Sequence, residues 1–184
     1  MTGLASKRQL RASLLRWALF TVPLVILLGF FSGKVSGSGS MDPWFAGLVK
    51  PAIFPPPVWF GIVWTVLYVL MGLALAIVCA AWGARGRTAA IVAFALQLVV
   101  NLAWSPVFFA LHQIPAALAV IGVLDALVLV TIVLFWRVRR GAALLLVPYL
   151  AWIAFATVLN YQFLELNPHP SAEAQNAPVQ RIPI

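Results

Sequence analysis

Charged side chains are scarce in this sequence, and acidic ones are scarcer still. Asp, Glu, Lys and Arg make up 9% of the 184 residues, and only four residues are acids. Soluble domains carry about 25% charged residues, so the composition argues against a soluble globular domain. The sequence has no paired carboxylates, no Ser-His-Asp set, no phosphate-binding loop and no metal-ligand spacing. It therefore predicts no catalytic residue, no metal site and no required cofactor.

Cysteine and histidine are almost absent as well. Cys79 is the only cysteine and lies within an apolar run, which excludes an intramolecular disulfide and leaves the redox compartment open. The two histidines are His112, in a short connection, and His169, in the polar tail. We expect both to be solvated, because they lie in a connection and in the tail. The alternative, in which His112 binds a haem iron, is disfavoured because a second protein ligand is missing.

Long uncharged runs dominate what the sequence does contain, since 64% of the residues are hydrophobic. A transmembrane helix needs about 20 apolar residues to cross the bilayer core. Five segments reach that length, at about residues 14–33, 58–82, 89–111, 115–136 and 143–166. The sequence therefore predicts an all-α integral membrane protein, a five-transmembrane-helix bundle with the lipid bilayer as its surroundings. Residues 1–13 form a basic N-terminus, residues 34–57 a lid loop, and residues 167–184 a tail predicted to be disordered.

The basic residues indicate an orientation in the membrane rather than a nucleic-acid partner. They lie in short runs at the ends of the apolar segments and not in a stripe with interleaved aromatic residues. Nine of the twelve fall on one side, and the other side has Lys34, Lys50 and Arg181. The positive-inside rule places the N-terminus in the cytoplasm and the lid loop and C-terminus outside, in what we expect to be a bacterial cell membrane. A cleaved signal peptide is the alternative for the first segment, although SGKVSGSGS lacks an Ala-x-Ala-like site.

The lid loop contains signals for a short helix. In DPWFAGLVKP, Asp42 is suited to the N-cap, Pro43 to the first helical position and Pro51 to the stop, which predicts a helix over residues 44–49. Trp44 and Leu48 would form its apolar face. The following FPPPVW is stiff extended chain that positions the second membrane segment.

Aromatic and amide side chains recur at helical spacing in three membrane segments. Spacings of three or four residues place such side chains on one face of a helix. The candidate ligand-binding residues are Trp44 in the lid loop, Trp64 and Tyr68 in the second segment, Gln97, Asn101, Trp104 and Phe108 in the third, and Trp152, Ala156 and Asn160 in the fifth. They predict a pocket for a flat apolar ligand beneath the lid loop. The alternative interpretation is that the amides bridge helices and the tryptophans only pack.

Asp125 is the only acid within a membrane segment. An intramembrane carboxylate suggests a functional site, but a proton relay would usually need several such groups in sequence. We expect a protonated side chain that is hydrogen-bonded to a neighbouring helix.

Four motifs, spread in order over about residues 44–167, resemble those of one known family. WFAGLVKP, FGIVWTVLYVLMG, QLVVNLAWSPVFF and PYLAWIAFATVLNYQF are similar to the tryptophan-rich sensory protein family, TspO/MBR, which includes the translocator protein or peripheral-type benzodiazepine receptor. The resemblance implies a five-helix bundle, usually a homodimer. It also implies a pocket for porphyrins, haem-related tetrapyrroles and isoquinoline or benzodiazepine-type drugs, and for cholesterol in animal members. Trp152 would stack on the ligand, and Ala156 and Asn160 would line the pocket.

The resulting hypothesis is a membrane-embedded tetrapyrrole-binding sensor, regulator or transporter. Trp152 and Trp104 would supply stacking, and Asn101 and Asn160 hydrogen bonds. The alternatives are light-dependent porphyrin degradation, a cholesterol- or drug-binding translocator, and a dimeric scaffold that uses the small residues Gly72, Ala76 and Ala80. The chain departs from the family's sterol motif, because Glu165 follows Tyr161 where a basic residue is required, so we expect weak cholesterol binding.

Overall fold

The computed structural model describes residues 7–38 and 42–168, and this part of the chain is almost entirely helical. The helices are α1 (Lys7–Val35), α2 (Pro43–Gly47), α3 (Pro57–Cys79), α4 (Arg87–Ser105), which continues into a single π-helical turn (Pro106–Ala110), α5 (Ile114–Val138) and α6 (Arg140–Leu166). Five of the helical stretches are long and apolar enough to cross a membrane. The predicted five-helix membrane fold is confirmed, and α2 is the short helix expected in the lid loop. Residues 1–6 and 169–184 of the predicted termini lie outside the described residues.

The end of the second membrane helix differs from the predicted segment end. The second segment was predicted to reach Trp82, but α3 ends at Cys79. The chain then turns through Gly83 and Gly86, whose φ angles of 74° and 78° suit glycine. The Arg87 guanidinium donates to the Cys79 carbonyl oxygen at 2.8 Å and so satisfies part of the helix C-terminus.

The bundle is held by four main helix pairs: α1 with α3, α3 with α6, α6 with α5, and α5 with α4. The backbones of α1 and α3 approach closely at Gly72, where a Cβ atom would lie 2.6 Å from the Val22 Cα. The Thr21 hydroxyl also donates to the Gly72 carbonyl oxygen at 2.8 Å. Small residues that allow such an approach are common between membrane helices.

The scaffold hypothesis used Gly72, Ala76 and Ala80 for dimerisation, and it is wrong about Gly72 and Ala76, because the bundle itself covers them; Ala80 is only partly buried. Gly72 lies against α1 of the same chain, and Ala76 is fully buried. The sequence pattern correctly indicated a close helix contact, but the partner helix belongs to the same molecule.

Tryptophans at the end of the bundle opposite the lid loop lie beside arginines. The Trp17 and Trp82 rings have centroids 6.4 Å apart. Arg87 lies over the Trp82 ring at 4.4 Å and Arg140 over the Trp136 ring at 5.4 Å. Paired aromatic and cationic side chains of this kind suit a membrane–water interface.

We expect the end with these arginines to face the cytoplasm. The five spans place the start of α1 and the end of α6 at opposite ends of the bundle. A dual phosphatase and β-galactosidase reporter fused after Leu166 should therefore report a position outside the cytoplasm, and one inserted at residues 83–86 a position inside. The opposite pattern of the two activities would place the lid loop in the cytoplasm and contradict this orientation.

Candidate ligand-binding site

A cavity of about 560 Å³ lies beneath the lid loop, between the five spanning helices. Its volume falls within the range of about 300–1,000 Å³ that is typical of small-molecule sites. The aromatic part of its wall consists of Phe30, Phe45, Phe54, Phe60, Trp64, Tyr68, Trp104, Phe108, Phe109, Trp152 and Phe163. A wall of this composition favours a flat apolar molecule, because ring faces and edges offer large contact areas in defined orientations.

Most of the predicted site residues meet at this cavity. The wall contains Trp64, Tyr68, Asn101, Trp104, Phe108, Trp152, Ala156 and Asn160. The predicted convergence of the second, third and fifth membrane segments is therefore present in the fold. Two predicted residues, Trp44 and Gln97, are not part of the wall.

Trp44 is half-buried and packs edge-on against Phe108 at a centroid distance of 5.7 Å, whereas its neighbour Phe45 lies in the cavity wall. The Trp44 indole stacks on the His112 imidazole, with centroids 4.2 Å apart and planes 16° apart. Phe45 is only 8% exposed and contacts the rings of Phe108 and Phe163. Phe45 therefore lines the cavity, and Trp44 lies beside it against Phe108. Because α2 has little more than one turn, its own sequence does not determine which of the two residues faces the cavity.

Gln97 bridges helices and does not face the cavity. It is 1% exposed, and its Oε1 accepts a hydrogen bond from the Tyr149 hydroxyl at 3.1 Å. The same hydroxyl accepts a hydrogen bond from Asn101 Nδ2 at 3.0 Å. This network joins α4 to α6, so the alternative interpretation of helix-bridging amides holds for Gln97. Asn101 bridges the helices through this network and also lines the cavity.

Asn160 holds Trp104 in place within the wall. The Trp104 Nε1 donates to Asn160 Oδ1 at 3.1 Å, and Asn160 Nδ2 donates to the Ile114 carbonyl oxygen at 3.1 Å. Trp104 in turn stacks on Phe108 at a centroid distance of 5.1 Å. Because the amide of Asn160 has partners at both ends within the protein, its main contribution is to orient the indole.

The π-helical turn at the end of α4 brings two successive phenylalanines to the cavity. Phe108 and Phe109 both belong to the wall, with ring centroids 4.9 Å apart. In a regular α-helix, neighbouring residues point about 100° apart, and the wider π turn alters this spacing. The predicted helix face of the third membrane segment included Phe108 but not Phe109, because that prediction used the spacing of a regular α-helix.

Trp152 carries the one indole nitrogen in the wall that is buried without a partner among the described residues. Its Nε1 has no hydrogen bond there, and its ring packs against Phe60 at a centroid distance of 5.8 Å. A buried N–H group that lacks an acceptor costs about 1–3 kcal/mol. Ala156 follows one turn later on α6 and also lines the cavity. Its small side chain leaves room beside the indole.

Helices α1 and α5 also contribute to the wall, which the sequence patterns did not indicate. Gly29 and Phe30 come from α1, and Ile121 and Leu124 from α5. These helices carry no repeated amide or aromatic stripe. Phe60 and Phe163 could have been found, because each lies one helical turn from a predicted site residue.

The lid loop is attached to the end of α6 by Asn167. Its Oδ1 accepts a hydrogen bond from the Val49 N–H at 2.8 Å, and its Nδ2 donates to the Val49 carbonyl oxygen at 3.1 Å. The same Nδ2 donates to the Phe163 carbonyl oxygen at 2.9 Å. The tail was predicted to begin at residue 167, but Asn167 is 2% exposed and belongs to the ordered part of the protein.

The Lys50 side chain caps the C-terminal end of the short helix α2. Its Nζ donates to the carbonyl oxygens of Phe45, Ala46 and Leu48, the last two at 2.9 Å. It also lies 4.8 Å from the centre of the Phe45 ring. Partial burial lowers the pKa of Lys50. These contacts satisfy carbonyl groups that a helix end leaves free.

We expect Asn167→Ala to loosen the lid loop. The substitution removes both hydrogen bonds to Val49 and the bond to Phe163, each worth about 1 kcal/mol. The two bonds to Val49 together contribute about 2 kcal/mol, so amide exchange of a peptide covering residues 44–50, measured by mass spectrometry, should accelerate about thirtyfold. Glu165→Gln is the control, because this exposed side chain bonds Tyr161 within α6 and does not touch the lid loop. Unchanged exchange in Asn167→Ala would mean that other contacts hold the lid loop.

Asp125 lies outside the cavity wall and is hydrogen-bonded to a neighbouring helix, as expected. The Thr157 Oγ1 lies 2.7 Å from Asp125 Oδ2 and joins α6 to α5. No group of three or more His, Cys, Asp or Glu that could hold a metal ion occurs in residues 7–38 and 42–168. The protonation of Asp125 stays a prediction.

Comparison with known proteins agrees with this architecture. The model of the TspO/MBR family matches residues 21–166. The chain is 42% identical to the tryptophan-rich protein TspO of Chlorobaculum tepidum over 80% of this chain and 93% of that protein. It is 41% identical to the protein of the same name from Archaeoglobus fulgidus, over 78% and 93%. It is 40% identical to the translocator protein of Homo sapiens over 73% and 80%.

These matches run through the lid loop and all the cavity-forming helices, apart from the first part of α1. Together with the five spanning helices they describe an integral, multi-pass membrane protein. The chain belongs to the TspO/MBR family.

Proposed function

We propose that the chain binds a tetrapyrrole, a porphyrin or haem-related molecule, in the cavity beneath the lid loop and acts as a membrane sensor, regulator or transporter. The observation that carries this proposal is the unpaired Trp152 Nε1 in an aromatic wall around about 560 Å³. A flat conjugated ring would gain contact with these aromatic faces and edges, about 0.5–1.5 kcal/mol for each well-placed ring beyond the burial of area.

Two polar atoms could orient such a ring. The Trp152 Nε1 can donate to an acceptor on the ligand, and Asn101 Oδ1 accepts no hydrogen bond from the described part of the chain. A metal-free tetrapyrrole offers both pyrrole N–H donors and ring nitrogens that accept. Few, well-placed polar groups within an apolar wall are the usual basis of orientation in small-molecule sites.

Names of relatives support a role in signalling or transport. The matched proteins include a tryptophan-rich sensory protein from Cereibacter sphaeroides and the translocator protein of Homo sapiens. These words describe those proteins. For this chain, the names favour a sensory or transport role in which the ligand first binds at the cavity.

The proposal is tested by titrating the detergent-purified protein with protoporphyrin IX. Trp64, Trp104 and Trp152 line the cavity, so bound porphyrin should quench tryptophan emission. We expect a micromolar dissociation constant, which corresponds to about −8 kcal/mol. Quenching that stays linear with porphyrin concentration and matches free tryptophan in the same detergent would contradict a defined site.

The alternative of light-dependent porphyrin degradation is favoured by the same three indoles in the wall, since tryptophan is an oxidisable side chain. Illumination of the porphyrin-loaded protein in air distinguishes the two functions. Loss of porphyrin absorbance with a distinct product, faster than in protein-free detergent, would support degradation. Bleaching at the protein-free rate would support binding alone.

A further inference from the structure

The turn between α5 and α6 concentrates positive charge within a short segment. Helix α5 ends at Val138 and α6 begins at Arg140, so the connection consists of Arg139 alone, whose backbone is extended. Arg137 precedes it in the last turn of α5. All three arginines are exposed. Consecutive Cα atoms are about 3.8 Å apart, so the Cα atoms of Arg137 and Arg140 lie within about 11 Å of each other, and the long side chains can meet at one ligand.

The guanidinium groups of this turn are largely free to bind a ligand. Arg139 Nη1 donates to the Val138 carbonyl oxygen at 3.4 Å, which is long for a hydrogen bond. Within the described part of the chain, Arg137 and Arg140 make no hydrogen bond or ion pair. Arg140 lies over the Trp136 ring at 5.4 Å, a contact with the ring face that leaves its N–H donors unpaired.

The other groups that could compete with the turn are already used or are distant. Arg87, at the same end of the bundle, donates from Nε and Nη2 to the Cys79 carbonyl oxygen at 3.2 and 2.8 Å. Two acids, Asp42 and Glu165, belong to the lid loop and to the last turn of α6, at the opposite end. Asp125 lies about three and a half helical turns before the end of α5. No acid in residues 7–38 and 42–168 therefore neutralises the turn.

An exposed apolar strip leads from this turn along α5 into the membrane-facing surface. Leu129, Val133 and Trp136 are 52%, 51% and 46% exposed. Their spacing of four and three residues places them on one face of the helix. The Trp136 indole ends the strip at the Arg140 guanidinium, and such a ring suits the boundary between hydrocarbon and headgroups. Along this face, the surface changes from hydrocarbon through an indole to guanidinium groups.

We propose that the α5–α6 turn binds the phosphate of an anionic phospholipid, with an acyl chain of the lipid along Val133 and Leu129. Guanidinium groups bind phosphate oxygens through paired N–H donors. Basic clusters beside membrane helices attract acidic headgroups, whereas a zwitterionic headgroup brings a cation that three unneutralised arginines repel. A lipid fits better than a soluble phosphate, because the apolar strip is continuous with the turn. This inference does not depend on tetrapyrrole binding.

The test compares phosphatidylglycerol with phosphatidylcholine of identical acyl chains, added to the detergent-purified protein and measured by native mass spectrometry. We expect the first phosphatidylglycerol molecule to bind about tenfold more tightly at low salt. The combined substitutions Arg137→Gln, Arg139→Gln and Arg140→Gln should reduce this preference to within about twofold. Because the three arginines are exposed, the preference of the wild-type protein should also decrease as salt is raised.

A matched triple variant separates a defined site from the overall positive charge of this end. Arg8→Gln, Arg11→Gln and Arg16→Gln also remove three exposed arginines, from the first part of α1. This variant should retain the preference within about twofold, since its charges do not belong to the turn. Lysine in place of the three arginines of the turn keeps the charge that orients the protein in the membrane, and should retain at least about half of the preference. Thermal unfolding is recorded for every variant.

The possible results lead to distinct conclusions. Equal binding of the two lipids by the wild-type protein, a preference that does not change with salt, or an equal loss in both triple-glutamine variants would overturn a site at the turn. Complete loss in the lysine variant would attribute the effect to altered structure and would also overturn it. Displacement of phosphatidylglycerol by a large excess of glycerol 3-phosphate, which lacks acyl chains, would mean that the turn binds soluble phosphates rather than lipid. A preference lost only in the glutamine variant of the turn, and not displaced by glycerol 3-phosphate, supports the inference.

Discussion

Replacing Ala156 by Leu is expected to weaken protoporphyrin IX binding about tenfold, which corresponds to about 1.4 kcal/mol. Ala156 lines the cavity one turn from Trp152 on α6. The larger side chain would occupy space beside the indole that a flat ligand needs, and a packed site has little room to adjust. The measurement is the quenching titration in detergent, with thermal unfolding recorded for the same preparations.

A matched substitution on the same helix serves as the control. Ala154→Leu makes the same chemical change at an exposed position that does not line the cavity. It should leave the affinity unchanged within about twofold. Equal losses of affinity in Ala154→Leu and Ala156→Leu would mean that the effect comes from the helix as a whole and not from the cavity.

Two changes at Trp152 divide its contribution into contact area and hydrogen bonding. Trp152→Ala removes the ring and should weaken binding at least about tenfold. Trp152→Phe keeps an aromatic face but loses the unpaired Nε1, so its affinity should fall between those of Trp152→Ala and the wild-type protein. If both variants bind as the wild type while remaining folded, the tetrapyrrole site is elsewhere.

Gly72→Ala should lower the stability of the protein by about 1–3 kcal/mol, a typical cost of overpacking. The new Cβ would lie 2.6 Å from the Val22 Cα and 3.1 Å from the Thr21 carbonyl oxygen. Both are backbone atoms of α1 and cannot rotate away, so α1 must move from α3. This movement would also strain the hydrogen bond from Thr21 to Gly72. Thermal unfolding of the purified protein in detergent should therefore occur several degrees lower.

The control for this effect is Gly122→Ala on α5, where an added Cβ would meet no atom within 4 Å. Alanine is the better helix former by about 1 kcal/mol, so this variant should be neutral or slightly more stable. Gly72→Ala gains the same helix propensity, so a loss of stability there measures the steric conflict. An unfolding temperature equal to that of Gly122→Ala would show that α1 and α3 are not packed as described.

The number and approximate position of the membrane helices followed from the sequence because they depend on local properties. A helix must satisfy its backbone hydrogen bonds internally within the bilayer, so a run of about 20 apolar residues determines a span. The short helix in the lid loop was likewise predicted by Asp42 and Pro43, and Asp42 Oδ1 accepts the expected capping bond from the Trp44 N–H at 3.1 Å. Helical spacing placed Asn101 and Trp104 on one face of α4 for the same reason, and that face lines the cavity.

Only the tertiary structure decided which groups face the cavity and which are already paired. Periodicity identifies a helix face but not the helix that lies opposite, so Gln97 was assigned to the site although it is bonded to Tyr149. Similarly, Gly72 was assigned to a dimer although it packs on α1. The bond between Asn167 and Val49 joins positions 118 residues apart, and no local pattern records such a pairing. Long-range packing also turned Phe45 inward and left the Trp152 Nε1 unpaired, because these outcomes depend on contacts between helices rather than on the preferences of either residue.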